Sequence, residues 1–181
     1  MTPIRRLAPL LAALALAVAA LGISACGHDS DHKEVVEGEP VELGDLTYNA
    51  IFSRYLNPDD TEDAEYLVGQ PDPPPGSAYF GVFLEVHNET EETQDLADHF
   101  KIIDVDHQEF EAVESESPYA FPMGEKLEEH EQIPILDSTA QTGPIEGSIA
   151  IFLLPDSASE NRPLILEVPG EEGPAEITLD L

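Results

Sequence analysis

The sequence predicts an all-β fold, a two-layered antiparallel sandwich of about seven strands. From Val41 onward apolar and polar residues alternate, with no stripe at helical spacing. Sixteen prolines and 12 glycines punctuate the alternating runs at short intervals. Hydrophobic residues make up 41% of the 181 residues, enough to build one core in a chain of single-domain length. A single cysteine leaves no disulfide to join the sheets, so packing must hold them.

The first segment, residues 1–25, reads as a secretory signal. It contains no acid, carries Arg5 and Arg6, and runs uncharged from Leu7 to Ile23. As a membrane span it is marginal, because a helix needs about 20 apolar residues and Pro9 and Gly22 interrupt this one. The run ends in Ile23-Ser24-Ala25-Cys26, which resembles the bacterial lipobox: a branched residue, two small ones, then cysteine. Small side chains admit the peptidase, and the thiol is the one group there able to carry a thioether-linked diacylglycerol. Cys26 is therefore the expected lipid-attachment residue and mature N-terminus. The Arg5-Arg6 pair leaves the export route open between general secretory and twin-arginine. Residues 26–40 are acidic and nearly free of apolar side chains, and are expected to form an extended tether.

The folded domain is expected over 41–181. Leu46, Tyr48, Ala50 and Phe52 form one face of a strand that ends near Leu56, and Asn57-Pro58-Asp59-Asp60 breaks it. A proline-rich loop leads to Tyr79–Asn88, the best strand in the chain. There Phe80, Val82, Leu84 and Val86 face inward, and Glu85 and His87 face out. Phe100–Val105 and Phe110–Val113 form a hairpin around Asp106-His107-Gln108. Residues 114–131 look irregular, and Ile133-Pro134-Ile135-Leu136 is an edge strand at most. Strands follow at Glu146–Leu154, at Leu164, Leu166 and Val168, and at Ile177, Leu179 and Leu181. No helix is expected.

Tyr79-Phe80-Gly81-Val82-Phe83-Leu84-Glu85-Val86-His87-Asn88, a large apolar strand that runs into an Asn-x-Thr turn at Asn88-Glu89-Thr90, resembles an immunoglobulin-like domain of unknown function. That domain is common in actinobacterial and other Gram-positive lipoproteins. Phe100-Lys101-Ile102-Ile103-Asp104 and Gly147–Pro155 are similar to its next two landmarks, and the resemblance spans residues 43–181. It implies an immunoglobulin-like sandwich and an envelope location, and it carries no chemistry.

Charge excludes further classes. Thirty-eight Asp and Glu against 7 Lys and Arg give −31, and loss of Arg5 and Arg6 with the signal would take this to −33. Phosphate contacts need clustered bases, so nucleic acid is excluded as a partner. Lipid on Cys26, not surface charge, must hold such a domain at a membrane. Either solubility beside a negatively charged wall or a saline habitat accounts for the acid excess. No nucleophile elbow, His-Glu-x-x-His or glycine-rich phosphate loop is present, so no enzyme and no cofactor is expected.

Three clusters could carry a function, each with a plainer alternative. His28-Asp29-Ser30-Asp31-His32 could hold Zn²⁺ or Cu²⁺, or be ordinary polar tether. Asp59-Asp60-Thr61-Glu62-Asp63, and Asp104 and Asp106 with Glu109, offer oxygen ligands for Ca²⁺, or are simply acidic turns. His87, His99, His107 and His130 lack ligand spacing. Tyr119-Ala120-Phe121-Pro122-Met123 is expected to fold over an open sandwich end as an apolar plug, the alternative being a binding surface. The expected function is a lipid-anchored, non-enzymatic binding or structural module on the outer face of the cell membrane, its partner an unidentified envelope protein or ligand. The alternative is a metal-capturing envelope lipoprotein.

Overall fold

A computed structural model describes residues 33–171 and 173–179. The first half of the chain contributes β1 (Lys33–Val36), β2 (Val41–Leu43), β3 (Leu46–Leu56), α1 (Thr61–Tyr66), β4 (Ser77–Asn88), β5 (Gln94–Asp95) and β6 (Lys101–Ile103). The second half contributes β7 (Glu109–Val113), β8 (Lys126–Leu127), β9 (Gln132–Ile133), α2 (Thr139–Thr142), β10 (Ser148–Pro155), β11 (Leu164–Val168) and β12 (Ala175–Leu179). The expectation of about seven strands is corrected to twelve among the described residues. The additional ones are mostly pairings of two to four residues, too short to leave an alternating pattern.

One layer runs β1-β12-β11-β6-β7 and the other β7-β10-β4-β3-β2. Strand β7 belongs to both, pairing with β6 through Ile102↔Phe110 and with β10 through Phe152↔Ala112. At the opposite side β1 turns into β2 and so passes from one layer to the other. The result is a β-sandwich nearly closed on itself, which leaves few open edges. The sheet is not wholly antiparallel, because β1 lies parallel to β12, Lys33 beside Ala175 and Val36 beside Thr178. The segment 26–40 is thus not tether throughout, because Lys33–Val36 is a strand of the fold. Lys33-Glu34-Val35-Val36 carries too little apolar surface to announce a strand. Its backbone pairing, with Glu37 N–H donating to the Thr178 carbonyl at 2.8 Å, holds it in place.

The inner faces of both layers make the main core. Phe80, Leu84 and Phe152 meet Phe100, Ile102, Leu166 and Ile177 there, all fully buried. Leu46, Tyr48 and Ala50 of β3 point inward as expected, but Phe52 does not. It is 41% exposed and lies on the outer face beside Phe83, ring centres 6.1 Å apart. A bulge between Ala50 and Phe52 inserts Ile51 as an extra residue and reverses the phase of the strand. Beyond the bulge Ser53 takes the inward side and is buried.

Strand β4 also departs from a one-sided pattern. Tyr79 and Phe83 are as buried as Phe80 and Leu84, because a second core covers the outer face of this layer. Tyr66 of α1, Tyr119, Ala140 of α2 and Ile149 build it, with Tyr66 edge-on to both Phe83 and Tyr119. No helix was expected, yet Asp60 caps α1 through the amides of Glu62 and Asp63, and Ser138 caps α2 through that of Gln141. These helices, of 6 and 4 residues, are too short to show periodicity. The apolar segment 119–123 is packed into the fold, but along a strand and not over an open end. It lies against β10, with Phe121 in the main core and Tyr119 in the second.

Candidate functional site

Direction along the strands sorts the loops onto two ends. The far end gathers the β1–β2 turn, the loops around α1, the β6–β7 turn and the segment between β10 and β11. The near end gathers the start of β1, the β2–β3 turn, the β5–β8 ribbon and the β11–β12 turn.

A groove of about 710 Å³ opens at the near end. One wall is Leu43-Gly44-Asp45-Leu46, another is Pro169-Gly170-Glu171, and the ribbon supplies the third through residues 94–98. Leu43, Leu46, Leu96 and the buried ring of Tyr48 make an apolar floor continuous with the main core. Asp45, Asp95, Asp98 and Glu171 stand on the rim, and among the described residues no Lys, Arg or His lines the groove. The volume falls in the range of ligand-binding clefts, and the exposed lining is almost as polar as it is apolar.

Each wall has a local cause. At Gly170 a Cβ would stand 2.7 Å from the Gly173 carbonyl oxygen and 2.8 Å from Leu43 Cδ2, so only glycine lets this turn approach β2. The ribbon is pinned by Asn88, buried at the end of β4. Its amide donates to the carbonyls of Glu92, Leu127 and Glu128, and its Oδ1 accepts from the Thr90 amide at 3.0 Å and hydroxyl at 2.7 Å. The Asn-x-Thr sequence therefore serves as a clamp for the groove wall. Tyr48 anchors the other side of the ribbon, its hydroxyl oxygen accepting from the Ala97 amide at 2.9 Å. Burial pushes the Tyr48 phenol up, and the Ala97 N–H offsets only part of that, so it stays protonated at neutral pH.

The residues singled out from sequence do other work. Cys26 and the segment His28–His32 lie outside the described residues. Around α1, Asp60 is the helix cap and Asp63 accepts from the Asn57 amide at 2.7 Å while pairing with Arg54. Tyr66 and Tyr119 point hydroxyls at Glu62 and Glu65. Burial first, then the Glu62 carboxylate, pushes the Tyr66 phenol up to about 12, and the Tyr119 hydroxyl on Glu65 fastens α1 to the segment 119–123.

Asp104 organises the β6–β7 turn. Its Oδ1 accepts from the amides of Asp106 and Gln108, both at 2.9 Å, and Asn161 reaches its Oδ2. Among the described residues no three His, Cys, Asp or Glu converge as a metal site. Burial alone would raise the Asp104 carboxyl, but these hydrogen bonds outweigh it and hold it below the usual value. The stability it supplies is therefore fully present above the ordinary Asp range and lost as pH falls through its lower folded value. Asp104→Ala should flatten the acid limb of stability between about pH 5 and about pH 2, measured by urea unfolding. An unchanged slope would show that these bonds do not hold the Asp104 carboxyl below its value in the unfolded chain.

The sequence search singled out no residue of the groove except Leu46 and Tyr48, which appeared as core. No protein family and no curated protein matches the chain in sequence. Solved structures do match in shape. The chain is similar to an uncharacterized β-sandwich protein from Clostridium difficile 630, with 14% identity, a TM-score of 0.51, and coverage of 81% of this chain and 93% of that one. It is similar also to the yjhA protein of Bacillus subtilis, with 14% identity, a TM-score of 0.53, and coverage of 82% and 99%. The β-sandwich is shared. At such identity the likeness shows the fold alone.

Proposed function

We propose that the chain is a lipid-anchored lipoprotein on the outer face of the cell membrane, and that its sandwich, of immunoglobulin-like type, is a non-enzymatic binding module acting through the near-end groove. The observation that carries the proposal is the groove itself, a cleft with an apolar floor and a rim of carboxylates at the end where β1 starts. Lys33, the first residue of β1, stands seven positions after Cys26. With lipid on Cys26, that stretch spans at most about 25 Å, so the groove end would be held close to the membrane. The acyl chains supply the attachment that a surface of this charge opposes.

The test of the anchor is Cys26→Ser. The hydroxyl cannot take the diacylglyceryl thioether, so the lipid-modified species beginning at residue 26 should vanish from the membrane fraction by mass spectrometry. A wild-type mature protein that begins elsewhere, or that keeps a free thiol while fully membrane-bound, would overturn the anchor.

A further inference from the structure

Five consecutive residues, 94–98, line the groove. Gln94 and Asp95 of this run form β5, and Leu96, Ala97 and Asp98 continue along the cleft past its end. The ribbon has only two strands, with Gln94 opposite Leu127 and Asp95 opposite Lys126, so one edge of β5 pairs with no strand. Hydrogen bonding gives the direction. Leu96 N–H donates into the ribbon, to the Glu125 carbonyl at 2.9 Å. Alternation turns the amide of Asp95 to the other side, while Ala97, past the end of β5, donates to the Tyr48 hydroxyl at the groove floor and accepts from the Gly124 N–H at 3.0 Å. Asp95 N–H is left as a donor toward the cleft.

We propose that the groove takes an extended peptide segment bearing Lys or Arg beside apolar side chains, added as a strand along this free edge of β5. The inference rests on the groove being the binding site. Strand addition supplies main-chain hydrogen bonds, and alternate side chains then fall on opposite sides. One set would enter the floor of Leu43, Leu46 and Leu96. The other would meet the rim, where Asp95 is already paired with Lys126 at 2.9 Å, leaving Asp45, Asp98 and Glu171 as the principal carboxylates for incoming cations. Asp98 itself contacts the adjacent His99, a neighbour outside the lining. Gln94 reaches across to Asp45 at 3.4 Å, a long contact that an incoming chain can displace.

The probe is the acetylated octapeptide of four alternating Leu-Lys units, titrated against the full chain in detergent by fluorescence anisotropy and amide shift mapping. Shifts should centre on Gly44, Asp45 and Asp95. The triple substitution Asp45→Asn, Asp98→Asn, Glu171→Gln should weaken binding by about tenfold or more. The far-end control Asp59→Asn, Asp72→Asn, Glu160→Gln removes the same charge and should change it by less than about twofold. A probe N-methylated at alternate amides keeps every side chain and loses strand addition, and should bind about tenfold more weakly.

Equal binding of the N-methylated probe, with shifts still at the groove, would overturn strand addition and leave the groove as a site. Shifts spread over the whole acidic surface, with both triples weakening binding alike, would overturn the groove as well. No binding of the unmethylated probe would overturn the peptide.

Discussion

Leu84→Ala should destabilise the sandwich by about 2–5 kcal/mol, the range for truncating a fully buried leucine. The upper part of that range is expected at this position. Leu84 has no exposed surface, and its ladder partners on either side are Ala50 of β3 and Ser148 of β10. Neither is large enough to collapse into the space left by the isobutyl group, so the cavity persists and adds to the lost transfer energy. Phe52→Ala is the matched control, one ladder rung away on the outer face. It should cost about 1 kcal/mol or less, because much of the ring is already in water. Urea unfolding of both variants reads the difference. Similar costs would mean that the bulge at Ile51 is misplaced, since without it Phe52 would share the inward face with Leu84.

That pair of residues also marks what can be read from a sequence and what cannot. Strands β4 and β10 were legible because their apolar runs are long and bounded by Asn88 and Pro155. The unbroken run from Tyr79 to Leu84 carried more than was taken from it: six successive residues without a charge signal burial on both faces, and hence the second core. The bulge left no such trace. Ile51 and Phe52 are both good strand residues, and only the pairing with β4 decides which one is extra. The groove was hidden for a different reason. Its walls come from turns at 43–46, 94–98 and 169–171, which are remote in sequence and unremarkable one by one. Only the sandwich topology brings them to one end. Asn88 and Thr90 were visible as a motif, but their role as a clamp depends on the Leu127 and Glu128 carbonyls 39 and 40 residues away.

Breaking the ion pair beneath α1 should give an asymmetric result. Arg54 on β3 and Asp63 on α1 are in contact, but their surroundings differ. The Asp63 side chain is 3% exposed, whereas that of Arg54 is 29% exposed and has Glu62 as a second partner at 3.0 Å. Arg54→Ala strands a buried carboxylate with only the Asn57 amide to stabilise it, and should cost about 3–5 kcal/mol. Asp63→Ala removes the buried charge, while the guanidinium keeps water and Glu62, so the loss should be about 1–3 kcal/mol. The double variant has no uncompensated charge. It should therefore be more stable than Arg54→Ala alone, a coupling that two additive contacts could not produce. The order of the three unfolding free energies decides the matter. If Arg54→Ala proved the mildest of them, Asp63 would have to be solvated in solution, and α1 would not be held to the sheet by this pair.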